Sequence, residues 1–135
     1  MSELHAAMGL SVLPYMDEII KKRKNITEFY NSNIINRRTV RLRNNTDWNY
    51  CYYPLIFKDE NSLLKAKKKL EKNNIHPRRY FYPSLNQLKY LEKGINLPVS
   101  DLISKSILCL PNYFGLKESS LTKICSIINN FNQKN

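Results

Sequence analysis

The spacing of apolar residues over the first 34 positions constrains this chain more than any other feature. Leu4, Met8, Val12, Met16, Ile19, Ile20, Arg23, Ile26 and Tyr30 recur three and four residues apart, while Asp17, Lys21, Lys22, Lys24 and Glu28 mostly fall elsewhere. At 3.6 residues per turn that spacing collects most of the first set on one helical face. One long helical region from about Ser2 to Ile34 is expected. Ser2 is placed to act as the N-cap, and Glu3 suits the positive end of the helix dipole. Pro14 has no backbone N–H to donate, so a kink or break is expected near residues 10–14. Such a helix exceeds what a small sheet needs, so part of it is expected to pack on another domain or subunit.

Beyond it the periodicity changes. Thr39–Leu42 and Tyr50–Phe57 read as strands, the second rich in aromatic and β-branched residues. Pro54 lacks a ladder donor, which places its strand at an edge or at a bulge. Asp59 to Asn61 supply turn and cap chemistry for a helix over Ser62–Lys72 with the apolar face Leu63, Ala66 and Leu70. Asn73 and Asn74 are its expected stop, because Asn tolerates positive φ. Ile75–Tyr82 is a third strand candidate, closed by Pro83, and Leu85–Leu91 a short helical turn. A loop with Gly94 and Pro98 leads to Ser100 and Asp101, read as a cap before a short helix. Ile107–Leu110 reads as an apolar strand stopped by Pro111. The last helix directs Leu121, Ile124, Ile127, Ile128 and Phe131 inward. The expected fold is α/β, an α+β-like small domain: a small, mainly antiparallel sheet covered on one face by helices and preceded by the long helix. Residues 1–34 form the connecting helix and 35–135 the helix-covered sheet of one domain.

Composition excludes several classes. A 42% hydrophobic content with nine Tyr and five Phe is too apolar for a disordered chain. No apolar run reaches the roughly 18–20 residues that span a bilayer, and the N-terminus lacks a signal-peptide layout, so a cytoplasmic protein is expected. Cys51, Cys109 and Cys125 show no metal or redox spacing and read as reduced, buried thiols. His5 and His76 are too isolated for a zinc site, and no metal is expected. The net charge of +11 opens an alternative, a free-standing basic module that binds nucleic acid or another polyanion. The excess of Asn, Lys and Ile matches an A/T-rich codon bias, however. The Lys-rich helix reads as a solvated face, and Trp48 with Tyr50 to Tyr53 as residues packed in the sheet.

Three segments carry the reading further. MSELHAAMGL, at Met1 to Leu10, precedes the basic helix PYMDEIIKKRKNITEFY; NNIHPRRYFYPSLNQLKYL spans Asn73 to Leu91; ILCLPNYFGLKESSLTKICSII closes the chain. In this order they resemble the DegT/DnrJ/EryC1/StrS family of sugar aminotransferases, which have the type I aminotransferase fold. The middle segment resembles the family's G-I-x-x-R-R-Y-F-Y-P-S-L variant. The resemblance implies pyridoxal phosphate as cofactor, held by a lysine, and transfer of an amino group from an amino acid such as glutamate to a nucleotide-linked keto sugar. It also implies a homodimer in the full-length form. That lysine and most cofactor contacts belong to the family's larger N-terminal domain. The resemblance starts inside a family motif, so the chain reads as a C-terminal domain, and one that does not catalyse transamination alone. A truncated reading frame, a split gene product and an expressed domain all fit.

Arg78 and Arg79, flanked by Tyr80, Phe81 and Tyr82, are the chemically suggestive residues. A guanidinium offers forked donors suited to a diphosphate, and a tyrosine stacks on or hydrogen-bonds to a sugar. The resemblance implies that Arg78, Arg79, Tyr80 and Tyr82 bind substrate. The competing reading makes one arginine surface and the aromatics core. In an unbroken strand Arg79 and Phe81 share one face, and Arg78, Tyr80 and Tyr82 the other. Ser2, Glu3 and His5 start the helix that the resemblance places near the dimer interface and active site; simple capping explains them equally well. His5 and His76 are expected to be structural or exposed. Asn74 and Asn86 stand where many relatives carry Gly and His or Asp.

Overall fold

Pro14 divides the helical region in a computed structural model that describes residues 2–36, 38–40, 42–91 and 96–132. Helix α1 (Glu3–Val12) and helix α2 (Met16–Asn33) are joined by one 3-10 turn, Leu13–Tyr15, at the C-terminal edge of the expected break. The Ser2 hydroxyl caps α1 by accepting from the His5 backbone N–H. Only the second half of the long stripe reaches the core. Ile26, Thr27 and Tyr30 of α2 are buried, whereas α1 buries nothing and leaves Leu4, Met8 and Leu10 exposed.

The remaining elements are β1 (Tyr53–Ile56), α3 (Glu60–Glu71), a 3-10 turn (Leu85–Gln87), α4 (Pro98–Ser106), β2 (Ile107–Leu110) and α5 (Glu118–Asn132). β1 and β2 pair antiparallel, with Tyr53 opposite Leu110 and Leu55 opposite Leu108. Directly opposed residues share a face, and these four are buried against Ile26 and Tyr30 of α2, Leu63, Ala66 and Leu70 of α3, and Leu121, Ile124 and Ile128 of α5. Single antiparallel bridges extend the ladder at both edges, Thr39 to Leu55 and Arg78 to Cys109. The order is therefore Thr39, β1, β2, Arg78. The Ile56 N–H points away from β2 to the Arg38 carbonyl (2.7 Å), while the Phe57 N–H points toward β2, to the Ser106 carbonyl (2.8 Å). Alternation puts the nitrogen of Pro54 on the Ile56 side, where β2 loses no bond.

Two expected strands shrink to those bridges. In the first, Thr39–Leu42, Arg41 lies outside the described residues. The other, Ile75–Tyr82, fails for a reason visible in its partner. Arg78 exchanges both backbone bonds with Cys109, at 2.9 and 2.8 Å. The next bonded pair on one side would need an N–H from Pro111, which has none. On the other side it would need the Ile107 N–H, already given to the Ile103 carbonyl at the end of α4. The ladder stops after one rung, and the chain turns at Tyr80 and Phe81.

α3 begins and ends as its polar residues require. The Asp59 carboxylate accepts from the Ser62 N–H (2.7 Å), and that bond is the main cause holding its carboxyl below the usual range. At the far end Asn74 has φ 59°, and the Ile75 and Asn74 N–H groups bond back to the Leu70 and Glu71 carbonyls, a Schellman stop. Ser100 and Asp101 do not cap α4. The helix starts at Pro98, whose fixed φ and missing N–H suit a first helical position. Gly94 lies outside the described residues. No helix among those described is long and apolar enough to cross a membrane.

Candidate functional site

The single Arg78–Cys109 rung decides where the two arginines go. Arg78, at the edge of the sheet, is exposed and donates from Nη1 to the Tyr80 hydroxyl (2.6 Å), with its guanidinium 5.8 Å from that ring's centroid. Tyr52 meets Tyr80 edge-on at 5.1 Å, and hydrogen bonding to Tyr80 is the main cause raising the Tyr52 pKa above its ordinary value. Phe81 flanks Tyr80 at 5.3 Å and stands 70% exposed.

Arg79 turns the other way. Its guanidinium lies 3.4 Å from the centroid of the Tyr82 ring, and Nη2 donates to Glu60 Oε1 (2.5 Å) and to the Lys105 carbonyl (3.5 Å). This contact chiefly holds the Glu60 carboxyl below its usual range. Arg79 thus ties the 79–82 turn to the first turn of α3 and the end of α4. Strand alternation grouped Arg78 with Tyr80 correctly but put Tyr82 with them. Because the ladder ends at Arg78, Tyr82 lies instead with Arg79.

On the Arg78 side the structure opens into a cleft of about 570 Å³. Its polar and aromatic lining includes Arg23 of α2, Tyr52, His76, Arg78, Asn112 and Tyr113, and among the described residues no Asp or Glu contributes. Arg23 Nη1 donates to Cys51 Sγ (3.3 Å), and Asn112 Nδ2 donates to Thr27 Oγ1 and the Tyr50 carbonyl, both at 3.0 Å. Arg23 Nε and Asn112 Oδ1 are buried without a hydrogen-bond partner. Burial pushes the Cys109 thiol up to about 11, so it stays neutral in the cleft wall near pH 7.

Sequence reasoning missed Arg23, Tyr52, Asn112 and Tyr113 as cleft residues. Arg23 had a legible signal, a cation on the apolar stripe of its helix. The others meet only through tertiary contacts. Ser2 and His5 close on each other, hydroxyl to Nδ1 at 2.8 Å, and Glu3 is exposed beside them. None of the three lines the cleft. Asn86 and Gln87 donate to the Asp101 carboxylate (3.4 and 2.9 Å), and the Ser84 and Ser100 hydroxyls meet at 2.8 Å. These bonds fasten the turn after the arginines to α4.

Among the described residues no lysine lines the cleft; all are exposed except half-buried Lys67, which pairs with Glu71. The residues present therefore do not fit a pyridoxal phosphate site on their own. No three His, Cys, Asp or Glu side chains come together as a metal site among the described residues.

The sequence model of the DegT/DnrJ/EryC1/StrS aminotransferase family matches residues 1–129. The dTDP-4-amino-4,6-dideoxy-D-glucose transaminase of Escherichia coli is 33% identical over 139 residues, covering 95% of this chain and 37% of the relative. The GDP-perosamine synthase of Vibrio cholerae is 29% identical over 137 residues, covering 97% and 37%. In fold, the chain superposes on Spr1654 of Streptococcus pneumoniae in its PLP form with a TM-score of 0.86 at 17% identity, covering 99% of this chain and 36% of that one. The chain spans little more than a third of the length of these proteins.

Proposed function

Because the chain belongs to the DegT/DnrJ/EryC1/StrS aminotransferase family, we propose that it is the C-terminal small domain of a nucleotide-sugar aminotransferase. The segment Arg78–Tyr82 is its contribution to substrate binding. The observation that carries this reading is the family match over residues 1–129, joined to an exposed Arg78 held by Tyr80 at the rim of a cleft that no carboxylate among the described residues lines. In such an enzyme pyridoxal phosphate, when bound, supplies the electron sink for amino transfer from an amino acid such as glutamate. This chain's residues bind and orient. Arg78 and Tyr80 face a nucleotide-linked keto sugar, while Arg79, Glu60 and Tyr82 fix the turn that presents them.

α1 supports the same reading. A helix apolar on more than one side, as with Leu4 and Leu10, belongs in a protein interior. Here both residues are more than 70% exposed. The remainder of such an enzyme, and its homodimer partner, are the surfaces we assign to covering it. Ser2, Glu3 and His5 then sit at that junction.

The test is a pyridoxal phosphate titration of the purified chain, followed by borohydride reduction and mass mapping of lysines. Weak, scattered labelling is the expected result; a stoichiometric adduct on one lysine refutes the division of labour. A companion measurement compares a nucleotide sugar with random DNA across a salt series. Salt-steep DNA binding without selectivity for the nucleotide sugar would favour the polyanion-binding alternative.

A further inference from the structure

We infer that Cys51 is a reversible oxidation site, at which a hydroperoxide converts the thiol to a sulfenic acid held between Arg23 and Asn112. The inference stands on the side chains around the sulfur and does not rest on the aminotransferase reading.

The expectation that all three thiols are buried holds for Cys109 and Cys125 but not for Cys51, which is half-buried and lines the cleft. Arg23 Nη1 donates to its Sγ at 3.3 Å. The thiolate is the form of cysteine that attacks a peroxide, and a guanidinium beside the sulfur stabilises the charge it then carries. The sulfur is also held in place. Tyr50 has a φ of 54°, in the left-handed region that a bulky residue adopts only where its surroundings impose it. Those surroundings are visible: the Tyr50 carbonyl accepts from Asn112 Nδ2 and the Cys51 N–H donates to Asn49 Oδ1, both at 3.0 Å. The Tyr50 ring lies 4.8 Å from that of Trp48.

A second observation points to the oxidised form. Arg23 Nε is a buried donor and Asn112 Oδ1 a buried acceptor, and neither has a hydrogen-bond partner among the described residues. The first belongs to the guanidinium that touches Sγ; the second belongs to a side chain that is only 8% exposed, lines the same cleft and bonds the residue before Cys51. An S–OH group satisfies both, its oxygen accepting from Arg23 Nε and its hydrogen going to Asn112 Oδ1, where the thiol leaves them unpaired. In the reaction the thiolate sulfur attacks one oxygen of the peroxide, and the S–O bond forms as the O–O bond breaks. The departing hydroxide takes a proton from solvent and leaves as water. Sulfur is oxidised by two electrons and the peroxide is reduced by two. A low-molecular-weight thiol then displaces the hydroxyl as water to give a mixed disulfide, and a second such thiol frees Cys51. Cys109 lines the same cleft, but burial pushes it up to about 11, so it stays neutral near pH 7 and does not act as an internal resolving thiol.

The experiment treats the purified 135-residue chain near pH 7 with stoichiometric hydrogen peroxide and dimedone, which traps sulfenic acids, and maps the adducts by mass. Cys51 should carry the adduct, with Cys109 and Cys125 unlabelled. Folded Cys51 should also be oxidised faster than the same thiol in the urea-unfolded chain, a comparison that needs no variant. Arg23→Gln should slow its oxidation about fivefold, the loss of one charge-assisted bond to the attacking sulfur, while Arg23→Lys should keep at least about half the parent rate. Circular dichroism reports whether each variant is folded. When dimedone is added after a delay, the folded chain should still yield the adduct where the unfolded chain has lost it. Equal labelling of all three cysteines would overturn the site, as would a folded rate below the rate in urea. A folded Arg23→Gln variant that reacts as fast as the parent, or a Cys51–Cys109 disulfide in place of the adduct, would overturn it too. A sulfenic acid that decays as fast folded as unfolded would leave Arg23 Nε and Asn112 Oδ1 to a bridging water and remove the basis of the inference. None of these results bears on the aminotransferase reading.

Discussion

Tyr30→Phe isolates one hydrogen bond that joins the second helix to the sheet. Tyr30 is fully buried, donates to the Pro111 carbonyl at 2.8 Å, and packs its ring 4.7 Å from that of Tyr53. The substitution keeps the ring and removes only the donor, leaving the carbonyl short of a partner. Such a loss costs about 1–2 kcal/mol. A 135-residue chain has an unfolding entropy near 0.28 kcal/mol/K, so Tm should fall by about 4–7 °C in a calorimetric or circular-dichroism melt. The phenol adds an alkaline signature. Burial is the leading cause raising the Tyr30 pKa above its ordinary value of 10.0. The folded state therefore holds this proton more tightly than the unfolded state. Its contribution is whole below about pH 10 and declines above that by up to about 1.4 kcal/mol per pH unit. The variant should lose stability less steeply than the parent between about pH 10 and 11. An unchanged Tm together with an unchanged alkaline slope would refute both the bond and the burial argument.

Glu60→Gln should soften acid denaturation. The Arg79 contact depresses the Glu60 pKa in the folded state, so its stabilisation is present above the ordinary value of 4.5 and lost as pH falls through the lower folded value; urea midpoints from pH 6 to 3 check this. With an aromatic disulfide reagent at pH 8, Cys51 should react quickly and Cys109 and Cys125 only on unfolding, because burial pushes both thiols up to about 11 and hides them. Three equally fast thiols would contradict the core. At Asn74, whose φ is 59°, Asn74→Gly should be neutral or stabilising and Asn74→Ala should cost about 1 kcal/mol, read from paired denaturant melts.

Much of this was legible in local sequence because it depends on neighbours within a turn or two. The break at Pro14, the Asp59 cap, the Asn74 stop and the apolar faces of α3 and α5 follow from φ preferences, missing donors and helical spacing. The family resemblance rested on three ordered segments for the same reason. The fate of Ile75–Tyr82 was not legible, because it was decided by its partner. Whether Arg78 begins a strand or stands alone depends on a missing N–H at Pro111 and an occupied one at Ile107, about thirty residues away. The cap of α4 failed in a similar way: Ser100 and Asp101 have the right chemistry, but Pro98 starts the helix and both residues serve the turn after Ser84 instead.

By itself, then, the sequence determined the helices, the central strand pair, the buried faces of α3 and α5 and the family to which the chain belongs. Tertiary structure alone decided that adjacent arginines part company, one into an ion pair with Glu60 and the other onto the rim of a cleft. It also decided that Arg23, His76 and Asn112 meet there. Backbone preferences act over a few residues and can be read in order along the chain. The direction of a charged side chain is set by whichever carboxylate, ring or carbonyl the folded chain brings within about 4 Å, and that partner is specified only once the sheet and helices have packed.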